Sequence, residues 1–246
     1  MHLSHTIDLL YHYDLFVKER KLENIGGYRN ISPDILLKGD YYMKFSIIVP
    51  AYNSEDHIRK ALDSIKSQVF TDYELIVICD SCKDKTADIA REYTDKVFEV
   101  ENGSVGASRN DGLDKATGDY ILFMDDDDWW LHEYVLNLLD AKLSTDPEID
   151  VLAFSFIWAN RGYAQPLSNG GHMWPAVWSK CWRRSIIGDC RFPAKTYDEE
   201  PVFVKSIFQK HPTAKVIAWD NPMYYYNFLR PGSVCDKLNQ EGKIDY

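Results

Sequence analysis

From Phe45 onward, short unbroken apolar runs alternate with longer stretches in which apolar residues recur every three or four positions. The run FSIIV, residues 45–49, predicts a strand buried on both faces and closed by Pro50. Ile58, Ala61, Leu62, Ile65 and Val69 then make one helical face, with Asn53 or Ser54 as the cap and Glu55 and Asp56 in the first turn. YELIVIC predicts a second strand ending at Asp80. DKTADIAREY reads as a helix, KVFEV as a third strand, Ser104 to Ala116 as a helix, and YILFM as a fourth strand. Leu131, Val135, Leu138, Leu139 and Leu143 trace the next helix.

The flanks break this rhythm. In residues 1–43, TIDLLYHYDLFVKER carries apolar residues around most of a helix, and a loop at Gly26 and Gly27 follows. So wide an apolar surface predicts a helical extension that docks on the main domain or pairs with a second copy of the chain as a homodimer. The later half is less regular. YDEEPVFVKSIFQK reads as an acidic turn feeding a helix, and AKVIAW and MYYYNF as two late strands. The whole predicts an α/β fold: a mostly parallel, Rossmann-like central sheet with helices on both faces, an N-terminal helical extension (1–43) and a main domain (44–246). Ligands of such sheets bind at the carboxyl ends of the strands. Three of these ends carry unusual residues: Pro50-Ala51-Tyr52, Asp80, and the run Asp125 to Asp128.

Length and composition narrow the function. A chain of 246 residues suits one large α/β domain with an appendage, and 45% hydrophobic residues supply its core. A net charge of −10 argues against broad adhesion to nucleic acid or anionic membrane. The basic run KCWRR (Lys180 to Arg184) is the local exception. Five scattered cysteines predict reduced thiols in a cytoplasmic setting. The CxxC of Cys79 and Cys82 has no second pair to complete a zinc site. No secretory leader pattern and no membrane-length apolar run are present, which leaves a soluble protein with peripheral membrane contact as the alternative.

The chemistry concentrates in ILFMDDDDWW. Four carboxylates directly after a buried strand repel one another unless something positive offsets them. A hard divalent cation, Mg²⁺ or Mn²⁺, takes one or two carboxylates plus substrate phosphates. Alternation along the chain lets Asp125 and Asp127 face such an ion together, with Asp126 turned toward ribose hydroxyls. The plainer alternative is a solvated acidic turn. Tyr52 is placed to stack on a base and Asp80 to accept from a base imide, against a packed tyrosine and a helix cap. Arg109 in GASRNDGL offers a planar fork to base or diphosphate, against a surface ion pair. Asp198, Glu199 and Glu200 precede a helix, where either dipole compensation or general-base work explains them.

The segment FSIIVPAYNSEDHIRKALDSIKSQVFTDYELIVICD resembles the start of a family 2 glycosyltransferase of the GT-A fold. GSVGASRNDGLDKATGDYILFMDDDDWW is similar to that family's ARN-G helix and DxD turn. The resemblance is close over residues 44–143 and continues in patches through VWSKCWRRSII, DEEPVF and PMYYYNFLRPGSV. It implies a nucleotide-sugar half (44–130) and an acceptor half (131–246). Pro50, Ala51, Tyr52, Asp80 and Arg109 would line the donor, with Asp126 near the ribose and Asp127, supported by Asp125, on the metal. The family's Glu-Asp pair is Glu199-Glu200 here, which puts Glu200 in the place of the base. CDSC at residues 79–82 stands where the family commonly has DDGS. The implied reaction is inverting transfer from a nucleoside diphosphate sugar, UDP-linked by expectation, to a hydroxyl of a saccharide or lipid-linked saccharide. Trp130 and Trp174 fall on the acceptor side. Two alternatives stand beside it. One is transfer to a modified DNA base, served by KCWRR and by Trp174, Trp178 and Trp182. The other is a sugar-nucleotide binder without catalysis. A nucleotidyltransferase would need a Gly-rich loop where VPAYNSED stands, and an aspartyl phosphatase would need its Asp-x-Asp after the first strand.

Overall fold

The computed structural model describes residues 44–159, 161–164, 166, 175–194, 199–227, 230, 231 and 240, all within the unit Met43–Tyr246. The helical extension expected for residues 1–43 lies outside the described residues, as does Trp174.

Strands β1 (Phe45–Ala51), β2 (Tyr73–Asp80), β3 (Val97–Val100) and β4 (Tyr120–Phe123) alternate with helices α1 (Ile58–Lys66), α2 (Thr86–Arg91) and α3 (Val105–Lys115). After them come β5 (Trp129–Trp130), α4 (Val135–Ser144), β6 (Val151–Trp158) and β7 (Gly162–Ala164). A 3₁₀ turn (Val177–Ser179), β8 (Lys180–Arg183), α5 (Arg184–Ile187), α6 (Glu199–Lys210) and β9 (Val216–Tyr226) complete the order. One sheet holds all described strands, in the order β3-β2-β1-β4-β8-β6-β9-β5, with β7 on β6. The first four are parallel, β8 runs antiparallel to both its neighbours, β9 is parallel to β6, and β5 is antiparallel to β9. The sheet is therefore mixed, parallel where the sequence alternates strand and helix.

Each face carries its own apolar layer. Phe45, Ile47 and Val49 of β1 point to α1, α2 and α4 through Ile58, Leu62, Ala90 and Leu139. Ile48 points the other way, to a layer with Leu113, Ile186, Phe203 and Ile207 of α3, α5 and α6. Burial on both faces is why these strands read as unbroken apolar runs, and each enclosed aliphatic side chain contributes ~1.5–3 kcal/mol.

Four local expectations change. β1 continues through Pro50 to Ala51 instead of stopping at the proline. The Ile48 carbonyl faces β4, accepting from Met124 N at 3.0 Å, so the missing N–H of Pro50 faces the same side, past the end of β4. A proline there breaks no ladder bond. Helix α1 starts after His57, beyond Glu55 and Asp56, and it ends at Lys66, so Val69 lies outside it and is exposed. The two late strands are one strand, β9, with a bulge. Phe154 pairs with Trp219, Ser155 with Pro222 and Phe156 with Tyr224, and Ser155 Oγ donates to Asp220 Oδ1 at 2.6 Å across the irregularity. Finally, KCWRR is a basic surface only at Arg183 and Arg184. Lys180 and Trp182 are fully buried and Trp178 nearly so, while Arg183 and Arg184 bind Ile149 O (2.7 Å) and Gly118 O (2.6 Å).

Candidate active site

The carboxyl ends of β1, β2 and β4 meet the N-terminal ends of α3 and α6. Tyr52, just past β1, is 65% exposed, the most open aromatic side chain among the described residues. Its backbone N–H donates to Asp126 Oδ2 at 3.2 Å, and His57 Nε2 lies 3.6 Å from the other oxygen of Asp126. Strand end β1 and the acidic turn are thus tied together.

Asp80 closes β2 but is turned inward. One oxygen accepts from the N–H groups of Asn102 (2.8 Å) and Gly103 (3.0 Å) and from Ser81 Oγ (3.0 Å); the other accepts from Ser104 N (3.0 Å) and Ser108 Oγ (3.1 Å). These bonds use the lone pairs expected to receive a base imide, so Asp80 shapes the β3–α3 loop that walls the site. They also hold its pKa below the ordinary carboxylate value, against the opposing effect of burial.

Arg109 of α3 is likewise not aimed at a donor. It is 2% exposed, and its guanidinium is shared by three carboxylates: Nη2 reaches Asp125 Oδ1 at 2.7 Å, and Nη1 reaches Glu200 Oε1 at 2.9 Å and Glu199 Oε1 at 3.3 Å. Burial would lower its pKa, but Glu200, Asp125 and Glu199 hold it above its ordinary value. The planar fork, expected on base or diphosphate or in a surface ion pair, is buried here on three protein carboxylates.

The four aspartates have four environments. Asp125 is bracketed by Arg109, and its N–H donates to Tyr224 Oη at 3.2 Å. Asp126 faces Tyr52. Asp127 accepts from Arg230 Nε at 2.7 Å. Asp128 is fully buried and accepts from Tyr224 Oη and Asn227 N, both at 2.7 Å. It is the internal brace of the turn, a role the sequence reading did not assign. Burial raises Asp127 above the ordinary range; Arg230 opposes this, while Asp126 and Asp125 add to it.

Glu199 and Glu200 open α6. Glu199 is enclosed, with Gly106 so close that a Cβ there would lie 2.8 Å from Glu199 Oε2. Glu200 is the more open of the two, its second oxygen accepting from Val177 N at 3.1 Å. Burial raises both carboxyls against the pull of Arg109. Trp130, expected on the acceptor side, is 4% exposed and part of the core. Its neighbour Trp129 lies at the rim, but both ring faces are covered, one stacked on Tyr225 at 4.0 Å and one by Lys60 Nζ at 3.0 Å.

A divalent cation fits this charge pattern. Four carboxylates (Asp125, Asp127, Glu199, Glu200) share two arginines, and a diphosphate would add more negative charge. Among the described residues no group of three or more His, Cys, Asp or Glu side chains is arranged to hold a metal. An ion here would therefore draw on one or two aspartates and on donor phosphate oxygens, as Mg²⁺ commonly does.

Comparison with known proteins now bears on this geometry. The model of "Glycosyl transferase family 2" matches residues 46–188, more than half of the chain. The chain belongs to glycosyl transferase family 2. "Putative glycosyltransferase EpsH" of Bacillus subtilis is 30% identical over 205 residues, covering 74% of this chain and 60% of EpsH. The poly(ribitol-phosphate) beta-N-acetylglucosaminyltransferase TarS of Staphylococcus aureus is 30% identical over 77% of this chain and 36% of TarS. The chain thus spans less than two thirds of these relatives. The structure of TarS 1–349 with UDP-GlcNAc superposes with a TM-score of 0.68 at 28% identity, over 79% of this chain and 61% of that one. The mannosyltransferase PcManGT of Pyrobaculum calidifontis, solved with GDP-Man and Mn²⁺, has a TM-score of 0.62 at 18% identity over 84% of this chain and 66% of that one, a likeness of fold alone. The family 2 member so identified has the GT-A fold, with Tyr52, the acidic turn and the Glu199-Glu200 pair at one end of its parallel strands.

Proposed function

We propose that this family 2 member is a metal-dependent, inverting glycosyltransferase that moves a sugar from a UDP-type donor to a hydroxyl of a saccharide acceptor. The observation that carries the reading is the Arg109 bracket. One guanidinium binds Asp125 at 2.7 Å and Glu200 at 2.9 Å, so a carboxylate of the acidic turn and a candidate base flank one rigid group.

In this reading the Tyr52 ring stacks on the base beside Pro50 and Ala51, and the loop organised by Asp80 forms the wall. Asp126 accepts from the ribose. Asp127, with Asp125, would hold the divalent cation, which when bound offsets the charge of the departing diphosphate. Glu200 takes the proton of the acceptor hydroxyl as its oxygen attacks the anomeric carbon from the face opposite the leaving group. Arg109 keeps Glu200 and Asp125 from repelling each other. The relatives' names favour a UDP-sugar and a saccharide or polyol-phosphate acceptor. The DNA-base alternative loses three of the residues offered for it, because Lys180, Trp178 and Trp182 are core residues. Among the described residues no helix is long and apolar enough to cross a membrane.

The test is a donor and acceptor screen read by mass spectrometry, with Mn²⁺ or with EDTA, including a hydroxymethylated oligonucleotide beside saccharides. The expected result is cation-dependent release of UDP and a hexose-type mass increment on a saccharide. Absence of both turnover and donor binding across the panel would overturn the proposal.

A further inference from the structure

One fully buried charge is not used by the mechanism above. Lys180, the first residue of β8, is 0% exposed and sits in register with Ala153 of β6. Enclosing an ammonium costs several kcal/mol, and an aliphatic residue at this position would avoid that cost. Lys180 instead reaches back along its own chain. Its Nζ donates to Ala176 O at 2.6 Å and to Ser179 Oγ at 3.2 Å, and Ser179 Oγ donates to the same Ala176 carbonyl at 3.1 Å. The turn between them is fixed from the other side by Trp182 Nε1, which donates to Val177 O at 3.1 Å. This turn presents the N–H of Val177 to the site, 3.1 Å from Glu200 Oε2.

We infer that Lys180 is a positioning residue for Glu200: it closes the 176–179 turn so that the Val177 N–H fixes one oxygen of the base while Arg109 fixes the other. The inference rests on Glu200 as the base. Held at both oxygens, the carboxylate keeps one lone pair on each for an acceptor hydroxyl, and it cannot rotate about its last bond. Without the turn it is held at one oxygen only, and a displacement of about 1 Å at a reacting group costs on the order of 10²-fold in rate. Electrostatics agrees with the geometry. Burial lowers the Lys180 pKa to about 7, and Glu200 is the group that pulls it back up.

Four variants of the full chain separate the outcomes: Lys180→Met, Lys180→Gln, Glu200→Gln, and Lys180→Met with Glu200→Gln. Each is assayed for kcat, donor KM and thermal melting. Lys180→Met should lower kcat by about 10- to 100-fold with donor KM unchanged. Lys180→Gln, whose amide can still donate to Ala176 O without a charge, should recover most of the loss, which a general loss of packing would not predict. The double variant should be no slower than Glu200→Gln alone, because residues acting through one group are not additive. Unchanged kcat in both Lys180 variants, a raised donor KM instead of a lowered kcat, or a multiplicative loss in the double variant would each overturn the inference while leaving the base assignment standing. Full turnover by Glu200→Gln would sink the base assignment, and the inference with it. Should Lys180→Met fail to fold, Ser179→Ala, which removes the hydroxyl that bridges Lys180 Nζ and the Ala176 carbonyl, should lower kcat with donor KM unchanged, and an unchanged kcat there overturns the inference.

Discussion

In the acidic turn, one residue type does four jobs. Asp128 is enclosed and braces the turn, Asp125 pairs with Arg109, Asp126 meets Tyr52, and Asp127 pairs with Arg230. Asp127→Ala should therefore abolish cation-dependent transfer and leave the melting profile intact; unchanged turnover would take Asp127 off the metal. Glu200→Gln should keep donor binding and lose about 10²–10⁴-fold in kcat, the usual contribution of a general base. Burial raises the Glu200 pKa, and a base works only when ionised. The acid limb of the kcat/KM profile should thus begin above the ordinary glutamate range, with activity falling as pH falls through it, and the residual rate of the Gln variant should show no such limb. The sequence pattern offered Asp125 and Asp127 for a metal, and only the family resemblance placed Glu200 as the base. It could not tell that Asp80 and Arg109 spend their hydrogen bonds within the chain, because partners such as Gly103, Ser108 and Glu199 come from separate elements. It also put Trp130 on the acceptor side, whereas strand alternation sends Trp130 into the core and Trp129 to the rim.

Between elements, a dense polar tie away from the site is built on Glu74. Its side chain, on β2, accepts from Ser46 Oγ of β1 and from Thr117 N (2.6 Å), Thr117 Oγ (2.8 Å) and Gly118 N (3.1 Å) of the α3–β4 loop, and it pairs with Lys96. Burial alone would raise its pKa, but Lys96, Ser46 and Thr117 bring it down to about 2. A depressed carboxylate stabilises the fold fully above its unfolded pKa, and that contribution is lost as pH falls from about 4.5 toward 2. Glu74→Gln should lower stability at neutral pH by roughly 2 kcal/mol or more, since an amide NH₂ would face donors already in place. The loss should shrink in denaturant melts toward pH 3; a pH-independent difference would rule out the ionised form as its cause. The strand and helix alternation that Glu74 ties together was legible because strands buried on both faces must be apolar throughout. β9 was not, since Asp220-Asn221-Pro222 reads as a turn and only pairing with the bulged part of β6 carries the strand through it.

At the scale of the molecule, the excess of negative charge at one end of the sheet sets how ligands couple to stability. The chain carries a net −10, and the site adds carboxylates where an anionic diphosphate is proposed to bind. UDP alone meets repulsion there, and a divalent cation alone gains few ligands, because no three-residue metal cluster exists among the described residues. Each supplies what the other lacks, so their binding should be cooperative. Ligand at about 100 times its Kd stabilises a folded protein by ~2.7 kcal/mol, and for a domain of this size each kcal/mol moves Tm by about 2–4 °C. Mn²⁺ with UDP should thus raise Tm by roughly 5–10 °C, clearly more than the sum of the two added singly. Asp127→Ala should reduce the effect of the pair to that of UDP alone. Purely additive shifts in the wild-type chain would mean that cation and nucleotide do not share a site, and the acidic turn would then need another explanation for its charge.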